Sequence, residues 1–478
     1  MSDAVKVVPK GYQENQDLLP LEQSQQKYGF WTWMLMMFSM NTCIPMFFLG
    51  PIGATLGLSF WQALVGSFIG NLAAVIVMWL NGEVGVKYGI TYPVQLRESF
   101  GFKGIHVPVV MRGIAGTVWF GVEAWAGSLA LLMIIFAIVG VPKEQVTPLA
   151  IKYLVIALLF YLGSFIAVMR FGLKGIGNMA NWAGPLMLLY FIWLVIFLST
   201  KPEFAANIPK MYQSKAGYFS LPFALYLAVQ TNWWATVALN ISDISRGINP
   251  KKPGTFFSGL FVGVVLCQVL GTGLGFAAVA LTGTILPQDI ILNFAPGLFP
   301  ALLGLLFAFL APWSTDMTAN SIPLFNILMA TFKMRWKAAV LVGSVIAFFA
   351  APWWAVDKGQ TYVNYIQAWA GNYGILLGPI AGIMIGNYWI LRKQKYDLQK
   401  LFTSGPEGCW YKNGWSAAAF VALVITWAAC YITAALINQM AYVNIGAAKI
   451  PFPGGIIWYF SVVYALVFYV ICAKVFKE

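Results

Sequence analysis

One histidine, His106, stands in 478 residues, and only 16 residues are acidic. A lone imidazole excludes a histidine-based metal cluster. Five cysteines (Cys43, Cys267, Cys409, Cys430 and Cys472) show no C-x-x-C spacing and fall mostly in apolar stretches. They read as structural thiols rather than disulfides or zinc ligands. Charge of either sign is scarce, at 9% of residues, where soluble domains carry about 25%. No serine nucleophile elbow and no phosphate-binding loop is present, which argues against an enzyme embedded in a membrane. Rings of charge and filter repeats are also missing, which argues against a channel.

Hydrophobic residues make up 60% of the chain and aromatic ones 16%. That composition describes a polytopic membrane protein, with aromatic residues at the interfaces or lining a cavity. Twelve apolar segments, each long enough to cross a bilayer, cover 28–50, 56–80, 108–139, 149–169, 178–199, 217–240, 255–283, 296–330, 337–355, 363–391, 414–438 and 454–474; they are numbered 1 to 12 below. The expected class is therefore all-α with twelve transmembrane helices. An even number places both termini on one side. With that side inside, the outer loops keep only Lys143, Lys152, Lys201, Lys210, Lys215, Lys358 and Lys449 of the 29 basic residues. This bias predicts cytoplasmic termini in a plasma (inner) membrane protein. It also accounts for the net charge of +13 without a nucleic-acid partner. Residues 1–27 are polar, lack a signal-peptide core, and are expected to form a cytosolic tail.

Two segments carry polar interruptions. Segment 1 holds Ser39-Met40-Asn41-Thr42-Cys43-Ile44-Pro45 and then Gly50-Pro51; segment 6 holds Gln230-Thr231-Asn232-Trp233-Trp234-Ala235-Thr236 and then Asn240 to Asp243. Each opens a set of five segments. Broken helices at matching places in two halves mark an inverted-repeat transporter, whose unwound carbonyls can hold a cation at mid-membrane; a plain Pro/Gly kink is the alternative. The expected organisation is a tail (1–27), two five-helix repeats (28–199 and 217–391) and two accessory helices (414–474).

Segment 8 contains Ala311-Pro312-Trp313-Ser314-Thr315-Asp316-Met317-Thr318-Ala319-Asn320, a polar run inside an apolar span. Asp316 and Asn320 share one helix face, Ser314 and Thr318 another. Deep in segment 3, Trp119 and Glu123 are likewise four apart. Glu123 and Asp316 are the two acids deep in apolar runs, and a carboxyl placed there is a functional candidate, with structural pairing as the alternative. A ring beside a hydrogen-bonding head suits a flat polar heterocycle. Arg112 reads as an interfacial anchor. Asp243 and Arg246 read as a salt-bridge or gate element at the inner face, or else as solvated charges. Gly378 and Gly382 in segment 10 permit close helix approach, and Tyr365, Trp369 and Tyr373 just before them form a lid or simply pack.

These residues resemble the nucleobase:cation symporter-1 family. The resemblance rests on Gln16-Asp17-Leu18-Leu19-Pro20, Trp119-Phe120-Gly121 with Trp125-Ala126-Gly127, Trp234-Ala235-Thr236 through Ser242-Asp243, Ser314-Thr315 with Thr318 and Asn320, Leu377-Gly378-Pro379 to Tyr388, and Tyr411 to Trp415. The last group resembles the allantoin, hydantoin and uracil branch. The resemblance implies a leucine-transporter-type fold of five plus five helices. It implies that Trp119 and Trp234 sandwich a solute ring, that Glu123 and Asn320 bond its edge, and that Cys43 lies beside it. It further implies a sodium ion between the segment 1 break, near Ser39 and Thr42, and segment 8, at the Ala311 carbonyl and the Ser314 and Thr315 hydroxyls. Two positions depart from the pattern: Glu123 stands where hydantoin and allantoin carriers usually have Gln, and Asp316 where Asn is common. Together these features predict a monomeric symporter that imports a small nitrogen heterocycle with sodium, or with a proton, and needs no other cofactor. The alternative is a proton-coupled carrier of a cationic or amine-bearing vitamin precursor such as thiamine or hydroxymethylpyrimidine, in which Glu123 pairs with the amine or carries the proton.

Overall fold

A computed structural model describes residues 15–42, 46, 49–211, 213–282, 297–353, 373–445 and 448–478. Among them, nine helices are long and apolar enough to cross a membrane: Phe60–Tyr88, His106–Val139, Pro148–Met169, Gly172–Ser199, Thr255–Leu281, Leu298–Ala330, Gly374–Leu391, Ala417–Leu436 and Ile457–Phe476. Segment 9 is a shorter apolar helix, Trp336–Ala350. Segment 6 is broken, as its polar interruption predicts, and the first helix of segment 1 ends inside its own interruption, at Asn41. Segment 1 runs helically over Phe30–Asn41 and again over Leu49–Thr55. Segment 6 runs over Leu221–Asn232, turns at 233–236, and resumes as the short helices Val237–Asn240 and Ser242–Ser245.

The helix ends follow local chemistry. The helix of segment 2 starts with a capping box, in which Gln62 N–H donates to Ser59 Oγ and Ser59 N–H donates to Gln62 Oε1. It stops at Gly89, whose φ of 69° suits a residue without Cβ. Side chains such as Ile156, Leu159, Phe160 and Leu189 are exposed on the outer faces, where hydrocarbon rather than water is their natural neighbour.

The helices sort into two packed groups. Segment 2 packs against segments 1, 6 and 7, and segment 3 against segments 4, 8 and 9. Segment 5 packs on segments 1 and 8, and segments 10 and 12 pack closely together. Here the glycines matter: a Cβ on Gly382 would lie 2.2 Å from the Val462 carbonyl oxygen, so no larger residue permits this approach.

Four features differ from the sequence expectation. First, the fold is not wholly helical: Met440–Ile445 and Ala448–Pro453 pair antiparallel between segments 11 and 12. Pro451 and Pro453 make a helix there untenable. Second, the polar tail, for which no contacts are expected from sequence, is bonded to the helices from Asn15 onward. Asp17 accepts from Arg335 Nε at 2.9 Å and from the Trp336 N–H at 2.8 Å. Leu21 N–H donates to the Gly89 carbonyl, Gln26 Nε2 donates to the Val86 and Arg246 carbonyls, and the Tyr28 hydroxyl donates to the Leu173 carbonyl. The segment is thus a strap tied to both helix groups. Third, Arg112 is no interfacial anchor. Segment 3 begins at His106, so Arg112 lies well inside it and is 1% exposed. Fourth, of the two readings of Asp243, as a salt-bridge or gate element or as a solvated charge, solvation is excluded. Asp243 is buried, and its carboxylate accepts from the Tyr92 N–H and from the amides of Asn240 and Asn326.

The four cysteines among the described residues (Cys267, Cys409, Cys430 and Cys472) are free and buried, as expected of structural thiols. Cys409 lies in the connection between segments 10 and 11, where its thiol donates to Glu98 Oε2 at 2.8 Å. Burial, and then the Glu98 charge, push this thiol well above its usual range. It should stay protonated, and so resist alkylation in the folded protein even near pH 8.5, where a free thiol is about half ionised. Peptide mass spectrometry after maleimide treatment, with and without denaturant, checks this: only the denatured sample should carry the adduct at Cys409.

Candidate functional site

The polar run of segment 8 is where the helix loosens. A regular helix over Leu298–Thr315 passes into a π-helical turn over Asp316–Asn320 and then into Ser321–Ala330. Such wide turns re-aim side chains and often occur at functional sites. Pro312 and Pro323, lacking N–H groups, each leave a carbonyl one turn earlier without its usual helical donor.

Around this turn lies a narrow hollow of ≈ 30 Å³, lined by Met40 from segment 1, Trp119 and Glu123 from segment 3, Trp233, Trp234, Thr236 and Val237 from segment 6, and Thr315, Ala319 and Asn320 from segment 8. It is much smaller than the ~300–1,000 Å³ of usual ligand cavities, so the site is drawn closed. Trp119 meets Trp233 edge to face, with centroids 5.3 Å apart, and faces Tyr373 in the same manner at 6.5 Å. The Trp234 indole N–H donates to Asn71 Oδ1 at 2.8 Å, which fixes that ring. Tyr373 donates its hydroxyl proton to the Asn232 carbonyl at the helix break.

Four of the sequence-predicted solute residues therefore line one hollow: Trp119, Glu123, Trp234 and Asn320. Asp316 stands behind it. Its Oδ1 accepts from Asn320 Nδ2 at 3.0 Å and its Oδ2 from the Tyr161 hydroxyl at 2.8 Å. Cys43, Tyr365 and Trp369 lie outside the described residues. Trp233 also lines the hollow, and nothing in the sequence pattern singles it out from its neighbour Trp234 in the same interruption. Tyr161, in segment 4, gave no signal, because one tyrosine in an apolar helix looks like packing.

The oxygens proposed for a cation converge next to the hollow. Ser314 Oγ lies 2.9 Å from the Ser39 carbonyl oxygen and 3.0 Å from that of Ala311, donating its proton to them. Thr315 Oγ1 lies 3.0 Å from the Met40 carbonyl oxygen and 2.9 Å from that of Ala311. The Thr42 hydroxyl donates to the Ser39 carbonyl at 3.2 Å, one step further along the break. Three carbonyls and two hydroxyls, all oxygen and all uncharged, make a donor set suited to a hard cation. The Met40 carbonyl is the member that side-chain reasoning missed.

Comparison with known proteins agrees with this architecture. A family model described as "Permease for cytosine/purines, uracil, thiamine, allantoin" matches residues 20–469. The chain is 26% identical to an allantoin permease of Bacillus subtilis (strain 168), across 96% of this chain and 93% of that one. It is 26% identical to a purine-uracil permease of Arabidopsis thaliana, across 86% of this chain and 69% of that one. In fold it is similar to Mhp1, a nucleobase-cation-symport-1 family transporter solved closed with bromovinylhydantoin bound: TM-score 0.78, 21% identity, 97% of this chain and 96% of that chain covered. The family and these relatives are permeases rather than enzymes. The chain belongs to the family of permeases for cytosine/purines, uracil, thiamine and allantoin, the nucleobase:cation symporter-1 family.

Proposed function

We propose that this protein is a cation-coupled symporter that imports a small nitrogen heterocycle of the nucleobase, allantoin or hydantoin kind by alternating access. One observation carries the reading: Met40 and Thr315 each belong to both sites. Both line the hollow, while the Met40 carbonyl and the Thr315 hydroxyl are also members of the oxygen cluster. Occupation of either site therefore sets the position of groups in the other, which is the physical requirement for coupling. In this reading Trp119 stacks on the ring from one side, with Trp234 or its neighbour Trp233 on the other. Glu123 and Asn320 bond the ring edge. Asp316, tied to Tyr161, orients Asn320 from behind. Sodium, as co-substrate, takes the carbonyls of Ser39, Met40 and Ala311 with the hydroxyls of Ser314 and Thr315, which rotate their protons away to offer lone pairs.

The membrane organisation proposed alongside is twelve spans, two five-helix repeats over 28–199 and 217–391, accessory helices over 414–474, and both termini in the cytoplasm of a monomer. A second reading is favoured by the two carboxyl groups at the site: a proton-coupled carrier of an amine-bearing or cationic precursor such as thiamine. A thermal-shift panel separates the two, because a ligand that binds the folded state stabilises it by RT ln(1 + [L]/Kd), about 2.7 kcal/mol at a hundredfold excess over Kd. Uracil, allantoin, hydantoin, cytosine and thiamine are tested with and without sodium. A neutral heterocycle is expected to raise the melting temperature, and by more with sodium present. A shift with thiamine alone, indifferent to sodium, selects the second reading. A shift with none of them, joined to no counterflow in proteoliposomes, rejects both.

A further inference from the structure

We infer that Arg112, Asn240, Asp243 and Asn326 form a buried inner gate beneath the hollow, with Arg112 as its positioning residue. The inference deepens the transport reading and rests on it. Arg112 reaches two ways. Its Nε donates to Asn240 Oδ1 at 2.9 Å, and one terminal nitrogen donates to the Ala319 carbonyl at 2.9 Å. That carbonyl lacks its regular helical donor because the residue four positions on is Pro323. Asn240 passes the connection on, donating from Nδ2 to Asp243 Oδ2 at 3.0 Å, and Asn326 Nδ2 donates to the same oxygen at 2.7 Å. All four side chains are almost wholly buried.

The position of this clasp gives it a job. Arg112 and Asn326 belong to the group of segments 3, 4, 8 and 9; Asn240 and Asp243 belong to the group of segments 1, 2, 6 and 7. The clasp is therefore a seam between the two bodies whose relative movement alternating access requires. On one side of it, Ala319 and Asn320 line the hollow. On the other, Asp243 and Asn326 line a cavity of ≈ 690 Å³, bordered further out by Asp17, Leu21 and Glu22 of the amino-terminal strap. A heterocycle leaving the hollow for this vestibule passes where these bonds stand, so they must part. The chemistry suits repeated opening. Arg112 and Asp243 are joined through a neutral amide rather than as a direct buried ion pair, so opening never strands two desolvated charges torn from each other. Because Arg112 also holds the carbonyl next to Asn320, a change in the hollow reaches the seam through one side chain.

Sided labelling of a cysteine at Val237 tests this without requiring any solute. Val237 lines the hollow and is buried. In inside-out vesicles, V237C should react slowly with a membrane-impermeant thiol reagent, after subtraction of the rate in the chain that keeps Val237. Asn326→Ala, which removes one cross-seam bond to a charged group, should raise that rate about tenfold, while labelling from the outside falls or holds. Asn326→Asp should raise it further by setting two carboxylates face to face. Adding Asp243→Asn to Asn326→Asp restores an amide opposite a carboxylate and should return the rate to within a fewfold of the parent, which a merely misfolded variant would not do. Rates within twofold of the parent for both single variants, or no recovery in the double variant, overturn the gate. If labelling behaves as stated but proteoliposomes exchange no heterocycle, the proposed solute class fails and the gate stands.

Discussion

Glu123→Gln is expected to flatten the pH dependence of uptake and to change which solutes are carried. Glu123 is 1% exposed in a hollow whose other polar side chains, Asn320, Thr315 and Thr236, are neutral. An ionised carboxylate only accepts hydrogen bonds; a protonated one also donates; glutamine does both at every pH. If the native site reads N–H or amine edges with an ionised Glu123, the amide loses a charge-assisted bond worth about 1.5–3 kcal/mol. KM for those solutes then rises about ten- to a hundredfold, while solutes that glutamine pairs well, such as hydantoin or allantoin, gain. If Glu123 instead takes up a proton with each cycle, the variant still exchanges solute but no longer accumulates it in response to a pH gradient. Uptake of uracil, cytosine, allantoin, hydantoin and thiamine, measured across acidic to neutral pH in parent and variant, distinguishes these outcomes. An unchanged solute profile together with an unchanged pH curve ends the proposed role of Glu123.

What was legible in the sequence was whatever disturbs an apolar helix. The interruptions of segments 1 and 6 announce themselves through Asn, Thr, Pro and Gly in stretches that otherwise read as lipid-soluble; segment 6 turns at 233–236, and the first helix of segment 1 ends at Asn41. Ser314, Thr315 and Asn320 stood out for the same reason. Three kinds of feature were not legible. A backbone ligand candidate such as the Met40 carbonyl leaves no mark, because every residue type has one. Arg112 reads as an anchor because a basic residue near the start of a span ordinarily reaches for the interface; its partners, Asn240 and Ala319, are more than a hundred residues away. The strap from Asn15 to Tyr28 reads as an ordinary polar tail, since only the fold brings the Arg335 guanidinium and the Trp336 N–H to Asp17, and the Val86 and Arg246 carbonyls to Gln26. Spacing within one helix shows which side chains share a face, but not which neighbouring helix that face meets.

Thr315→Ala is expected to weaken sodium coupling more than any other single change in the oxygen cluster, with Ser314→Ala next. Each hydroxyl touches two carbonyls, one in segment 1 and one in segment 8: Ser314 meets Ser39 and Ala311, Thr315 meets Met40 and Ala311. Removing either takes away one of five candidate ligands and also one tie between the two helix groups. Loss of one oxygen from a charged guest corresponds to about 1.5–3 kcal/mol, so the sodium concentration for half-maximal uptake should rise about ten- to a hundredfold. Thr315 ranks first because it also lines the hollow; its loss should raise KM for the solute at fixed sodium as well, whereas Ser314→Ala should leave KM near the parent value once sodium is saturating. Thr315→Ser, which keeps the oxygen and drops the methyl group, should recover most of the sodium response and so separate ligand loss from lost packing. Uptake against sodium concentration at several solute levels provides all of these numbers. A Thr315→Ala protein with parental sodium dependence would move the cation away from this cluster and leave Glu123 and its proton as the remaining means of coupling.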